Sequence, residues 1–175
     1  MSRSTSARPA GFTVIEILMV LVILGLVAAV GAPSMRDLIA STRVKGAASD
    51  LFGSLMFARS EAIKRNANVD VVPVNAANWA AGWSVRIGGT TTDLTVTAAI
   101  TGGIAASGPA SSVRYRGDGR LIDPSSGALL AGDVEFRFIA SEHAHIQMRC
   151  VEVSPSGRPR VRTDTDRTAA NGCNT

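Results

Sequence analysis

The chain has 175 residues, enough for one domain and an anchor. Aromatic side chains make up only 5% of it, while glycine, alanine, serine and threonine abound, which argues for a thin sheet with long small-residue connections and against a large enzyme core. The formal charge is +4, but the first eleven residues carry two arginines, Arg3 and Arg8; the remainder has a net charge of about +2, so the basic pI owes part of its value to that short segment.

Gly11-Phe12-Thr13-Val14-Ile15-Glu16 opens an apolar run that reaches Ala32 with one charge in it, Glu16. About 20 apolar residues in a helix cross a bilayer core. A lone carboxylate inside such a run costs roughly 3 kcal/mol if it stays unpaired in hydrocarbon. One helical turn separates Glu16 from Phe12, so a helix over both puts them on one face. A chain cut after Gly11 would offer the new Phe12 amine as the partner of that carboxylate, within one chain or between neighbours. An ordinary secretory signal, with Val27-Ala28-Ala29 or Ala29-Val30-Gly31 as its cleavage site, or a plain anchor would leave Glu16 unexplained. Arg3 and Arg8 fall on the side expected to stay cytoplasmic.

Pro33 removes one helical hydrogen bond and predicts a kink there. Beyond it Met35, Leu38, Ile39, Ala48, Leu51, Phe52, Leu55, Ala58 and Ala62 recur at helical steps, an amphipathic stripe expected to pack on a domain. The helix should end near Asn66, with Lys64 and Arg65 favoured there by its dipole. Shorter, β-rich segments follow: Val69–Val74, Trp83–Ile87, Leu94–Thr101, Val113–Arg116 and Arg120–Ile122 about the turn Gly117-Asp118-Gly119, the alternating Val134, Phe136 and Phe138, Ile146–Val153, and Arg158–Arg162 after Ser154-Pro155-Ser156-Gly157. Residues 102–112 read as a loop. Short turns between successive strands imply an antiparallel sheet. The expected fold class is therefore α+β: a long N-terminal helix packed on an antiparallel β-sheet domain. Its divisions are 1–11, a removable leader; 12–33, the apolar half of the helix; 34–67, its amphipathic half; and 68–175, the β domain with a disulfide-closed tail.

The basic leader, Gly11, Phe12, Glu16 and the apolar helix together resemble the class III signal of type IV pilins and pseudopilins. In that family a prepilin peptidase cleaves after the glycine and methylates the new amine, so the resemblance gives Gly11 and Phe12 those roles and Glu16 a role in assembly. Helix, then sheet, then a cysteine-closed tail, with Trp79, Gly82-Trp83, Arg116-Gly117-Asp118-Gly119-Arg120 and Ser154-Pro155-Ser156-Gly157-Arg158 in order, is similar to the GspH/FimT family of minor pilins and pseudopilins. The resemblance implies a single pass of the inner membrane with a periplasmic C-terminal domain, then a place in a pilus at the cell surface. The expected partners are inner-membrane lipid, prepilin peptidase, and other major and minor pilins. No cofactor and no enzymatic activity are expected.

Past the membrane the compartment is oxidising, so Cys150 and Cys173 are expected to form a disulfide rather than remain two unrelated thiols. The closed loop of about 24 residues is worth roughly 3 kcal/mol in the chain-entropy model.

Gly157-Arg158-Pro159-Arg160-Val161-Arg162 is the candidate functional site. Alternate residues of an extended segment point the same way, about 6.6 Å apart, near the phosphate repeat of one DNA strand. Arg158, Arg160 and Arg162 should then form one guanidinium row, and Pro159 should keep it at an open edge with the arginines free. Gly157-Arg158-Pro159-Arg160 also fits a Gly-Arg-x-Arg pattern of FimT proteins used in natural transformation, which implies non-specific DNA binding; Arg162 is added from the alternation alone. The competing reading is a solvated hairpin in a structural minor pilin that primes assembly, or in a GspH-like pseudopilin of a type II secretion system. Asp164 and Asp166 weaken the local field. Arg114, Arg116 and Arg120 are better read as a surface hairpin than as an extension of the row, and Trp79 and Trp83 as packing residues than as base-stacking ones. His143 and His145, with Glu142, can be read as a two-histidine metal site, but ordinary strand residues are the expectation and no metal is assigned.

Overall fold

The computed structural model describes residues 11–165 together with Gly172 and Cys173. Helix α1 spans Val14–Arg65 and is helical through Pro33. Nine strands follow: β1 Val69–Asn75, β2 Asn78–Ile87, β3 Asp93–Thr97, β4 Ile104–Ser107, β5 Val113–Tyr115, β6 Leu121–Ile122, β7 Val134–Ala140, β8 Arg149–Val153 and β9 Pro159–Thr163. Every pairing is antiparallel, but the strands divide into two sheets where one was expected, ordered β3-β2-β1-β5-β6 and β4-β7-β8-β9. The fold is one long N-terminal helix packed on antiparallel sheets.

The chain forms two compact units, residues 1–36 and 37–175. In the first, the apolar side chains from Val14 to Val27 lie exposed, and this part of α1 is long and apolar enough to cross a membrane. In the second, Val44, Ala47, Ala48, Leu51, Leu55, Ala58 and Ala62 of α1 are buried with residues of both sheets. Four of these seven residues are alanines, which lets the helix backbone approach the sheets closely. The stripe starts later than the spacing predicts: Met35, Leu38 and Ile39 are exposed and the buried face begins at Ala40. Period fixes which side of a helix is apolar; it does not fix how far along the helix the domain reaches.

Three strand expectations are corrected. Residues 102–112 are not all loop, because β4 pairs with β7 and buries Ile104 and Ala106 in alternation. Small side chains such as Ala105 and Ala106 carry almost no hydrophobic signal, so this strand is made visible by its neighbour, not by its own composition. Residues 98–101 lie outside β3, and 146–148 lie outside β8. There the segment 141–148 closes through turns, with the His143 N–H donating to the Ala140 carbonyl and the Ile146 N–H to the His143 carbonyl.

Trp79 and Trp83 are core residues. The Trp79 ring meets Phe136 edge-on at 4.7 Å and its Nε1–H donates to the Pro109 carbonyl. The Trp83 Nε1–H donates to Ser54 Oγ across the helix–sheet contact. Both indoles are shut away from solvent, so neither offers a face to a base. Cys150 and Cys173 are joined, tying residue 173 to the second residue of β8.

Candidate functional site

β9 is an edge strand, and Pro159 is its first residue, where its missing N–H breaks no interior ladder. Arg158 precedes the strand. Arg160 lies opposite Glu152 and Arg162 opposite Cys150 on β8, so these two guanidinium groups share the face that carries Glu152. They are not free, as the alternation argument expected. Arg162 Nη1 is 2.9 Å from one Glu152 oxygen, and Arg160 Nη2 is 3.6 Å from the other and 3.3 Å from Asp133. Glu152 is buried, with Arg160 and Arg162 over it. Across β8, Glu135 and Arg137 continue the same face as an ion pair beside the disulfide. The row is therefore largely neutralised by carboxylates from β8 and from the residue just before β7. Of the acids expected to weaken its field, Asp164 is fully buried and Asp166 lies outside the described residues.

Arg158 differs. It is exposed, and its side chain has no hydrogen bond or ion pair among the described residues. Its position is set by Gly157, whose φ is +78°, a conformation that costs an L side chain but not glycine. A Cβ on Gly157 would lie 1.9 Å from the Gly119 carbonyl oxygen. The turn 154–157 is thus in backbone contact with the turn 117–119, and the Leu121 N–H donates to the Pro155 carbonyl to hold them together. Arg59 of α1 bridges the same pair: its Nε–H donates to the Gly119 carbonyl at 3.1 Å and its Nη2 reaches the Ser156 carbonyl at 3.5 Å.

This contact brings part of the second arginine group to the first. Arg120, directly after Gly119, is exposed, and its side chain makes no hydrogen bond or ion pair among the described residues. Arg116 is paired with Asp118. The hydrogen bond from Arg116 holds the Asp118 carboxyl down to about 2, against slight desolvation, so this pair stays charged and mutually neutral above that pH. Arg114 is structural: it grips the buried Asp70 through two hydrogen bonds of 2.6 and 2.7 Å and donates to the Pro124 carbonyl. Around these two touching turns, Arg59, Arg120 and Arg158 have no ion pair among the described residues, although the Arg120 charge also acts on Asp118. Sequence reasoning missed Arg59, which has no motif around it, and missed Glu152 and Asp133, which reach the row only through strand register.

At the N-terminus, Gly11 and Phe12 are exposed and precede the helix, so Phe12 does not share a helical face with Glu16. Thr13 caps α1 instead. Its Oγ1 accepts from the Glu16 N–H at 3.3 Å, and the Thr13 N–H points at Glu16 Oε2 at 3.5 Å. Thr13-Val14-Ile15-Glu16 is a capping box that was readable in the sequence.

An apolar N-terminal helix entering a domain of antiparallel sheets, with a tail closed by a disulfide, defines a protein of the type IV minor pilin and pseudopilin class. Residues 47–157, more than half of the chain, match the family described as type II transport protein GspH, and residues 7–32 match the prokaryotic N-terminal methylation motif. The chain belongs to the GspH family. Two crystal structures of the type IV minor pilin FimU of Pseudomonas aeruginosa PAO1 are similar in fold. One has a TM-score of 0.58 at 18% identity, covering 76% of this chain and 96% of that one. The other has a TM-score of 0.55 at 18% identity, covering 74% and 99%. No curated protein matches the chain.

Proposed function

We propose that the chain is a minor pilin that binds DNA non-specifically for uptake, through phosphate contacts centred on Arg158. The observation that carries this reading is the exposed guanidinium of Arg158, without a partner among the described residues and held beside the Arg120 turn by the contact of Gly157 with Gly119. Guanidinium groups suit phosphate because they are planar, always charged and rich in donors. Arg160 and Arg162 join as partly neutralised members, with Arg59 adding positive potential from behind. Phosphate contacts carry no sequence information, so binding is expected to ignore sequence.

Gly11 and Phe12 are the peptidase cleavage and methylation positions of this reading, and Glu16 the assembly residue. The Glu16 carboxylate is already turned back toward the Thr13 N–H, one residue from the amine that cleavage would free, which supports a Phe12–Glu16 pairing in the mature chain. Before assembly the apolar half of α1 would sit in the inner membrane with the β domain in the periplasm; afterwards it would pack among major and minor pilins.

The test is DNA binding by the full chain in detergent micelles over a series of salt concentrations. Each phosphate-contacting arginine changed to glutamine should reduce the slope of log affinity against log salt by about 1. The Arg158→Gln/Arg160→Gln double variant should show a shallower slope than the unaltered chain. An unchanged slope removes the assignment.

A second reading, a structural minor pilin or a type II secretion pseudopilin without DNA binding, is favoured by one observation: Glu152 and Asp133 already neutralise Arg160 and Arg162. Neighbouring genes for secretion, in place of pilus and competence genes, would fit it.

A further inference from the structure

We propose that Asp37, His143 and His145 form a binding site for a divalent zinc ion, which would fasten the loop between β7 and β8 to α1. The chain has two histidines, and both face the same carboxylate. His143 Nδ1 is 3.2 Å from Asp37 Oδ1, and His145 Nε2 is 3.0 Å from Asp37 Oδ2. The three donor atoms lie within 4.8 Å of one another. Zinc bonds to imidazole nitrogen and carboxylate oxygen are about 2.0–2.1 Å, which places neighbouring donors of a tetrahedron about 3.3 Å apart. Each nitrogen stands near that distance from a different Asp37 oxygen, so a small turn of the carboxylate that presents one oxygen to both imidazoles would complete the three-ligand set.

The arrangement joins segments far apart in the sequence. Asp37 comes from α1, and the histidines come from residues 141–148, shaped by the turn hydrogen bonds at Ala140 and His143. The two imidazole rings stand nearly perpendicular, 87° between planes, with centroids 5.9 Å apart. Such crossed rings can aim one nitrogen each at a common point without stacking. Glu142, which the sequence puts between the elements of this group, is turned elsewhere: it lies over Gly103. Asp37 from the helix takes the place of the third ligand that spacing alone assigned to Glu142.

Two imidazoles and one carboxylate select a first-row transition ion. Calcium and magnesium prefer all-oxygen sets. With neutral imidazoles the site carries one negative charge, and zinc leaves it at one positive charge. Three protein ligands leave one position of the tetrahedron for water, and the partly exposed side chains give ion and solvent a way in. Without metal, each imidazole N–H donates to Asp37, so the same atoms are satisfied by hydrogen bonds. Zinc binding moves those protons to the outer ring nitrogens, or to solvent.

The experiment is calorimetric titration of zinc chloride into the full chain, without a polyhistidine tag, in detergent micelles. One ion should bind per chain, and the thermal midpoint should rise with zinc concentration. His145→Ala, at the most exposed ligand, should not disturb folding and should lower affinity by more than the roughly 10–100-fold that an outer-shell change costs. His143→Ala and Asp37→Asn should do the same, and Glu142→Gln should leave affinity unchanged. Calcium and magnesium should produce no shift. Absence of zinc binding below millimolar concentration overturns the proposal. So does affinity in His145→Ala equal to that of the unaltered chain, because the ion would then lie elsewhere.

Discussion

Gly157 and Gly119 meet backbone to backbone, with the Gly157 α-carbon pressed toward the Gly119 carbonyl oxygen so closely that a methyl group would stand 1.9 Å from it. Both residues have φ of +78°. The glycine of the Gly-Arg-x-Arg segment is thus a packing requirement of two turns, and the arginines that follow each glycine inherit their neighbourhood from it.

Gly157→Ala should therefore separate the two turns. The left-handed conformation alone costs an alanine about 1–2 kcal/mol, and the clash with backbone adds to it. Urea unfolding should show a loss of at least about 2 kcal/mol. DNA affinity should fall although no charge has changed. Gly127→Ala, at a glycine of positive φ with open space around it, should cost only the conformational part and leave DNA binding intact.

Glu152 lies between Arg160 and Arg162 and withdraws both from solvent phosphate. Glu152→Gln keeps the shape and removes the charge. Affinity for DNA should rise, and the salt slope should steepen by roughly 1, because a guanidinium group is released to displace a counterion. By the same logic Arg158→Gln should weaken binding more than Arg160→Gln. Fluorescence anisotropy with a labelled oligonucleotide at several salt concentrations reads both effects; equal losses for the two arginines would contradict the charge map.

Much of this architecture was legible because it is repetitive. The apolar run, the helical stripe from Ala48 to Ala62 and the alternation of Val134, Phe136 and Phe138 each repeat a period that a single burial face imposes. Edge placement of Arg158–Arg162 followed from the chemistry of Pro159. What stayed hidden depends on residues distant in sequence. β4 is a strand because β7 lies beside it. Arg160 is neutralised because register puts Glu152 opposite it. Arg120 comes near Arg158 because two glycines touch. The expected single sheet became two for the same reason: turns between consecutive strands are local, and strand order is not. The capping box at Thr13 and Glu16 was local and readable, but the question of membrane burial drew the reading of Glu16 elsewhere.

Ser54 is a small polar residue on α1 whose hydroxyl holds the Trp83 indole N–H at 2.9 Å. Trp83 is almost wholly buried. Ser54→Ala leaves that donor without its partner and should destabilise the domain by about 1–3 kcal/mol. Ser54→Thr, which keeps the hydroxyl, should recover most of the loss. Tryptophan fluorescence during chemical unfolding measures the difference, and identical midpoints for Ser54→Ala and the unaltered chain would mean the bond contributes nothing.

Tyr115 is the one tyrosine of the chain, fully buried, with a hydroxyl that has no hydrogen-bond partner among the described residues. Burial pushes its ionisation far above the usual 10.0, and the positive charge of Arg59 offsets this only in part. The folded form therefore holds the phenolic proton more tightly than the unfolded chain. Its contribution to stability is complete below about pH 10 and is lost as pH rises past that value toward the folded pKa. Absorbance at the tyrosinate band should show no step near pH 10 while circular dichroism still reports a folded domain; ionisation should accompany unfolding. Tyr115→Phe removes a buried hydroxyl that lacks a partner, so it should be neutral or stabilising at pH 7 and should flatten the alkaline loss. A normal tyrosinate step in the folded protein would show that the ring is reached by water.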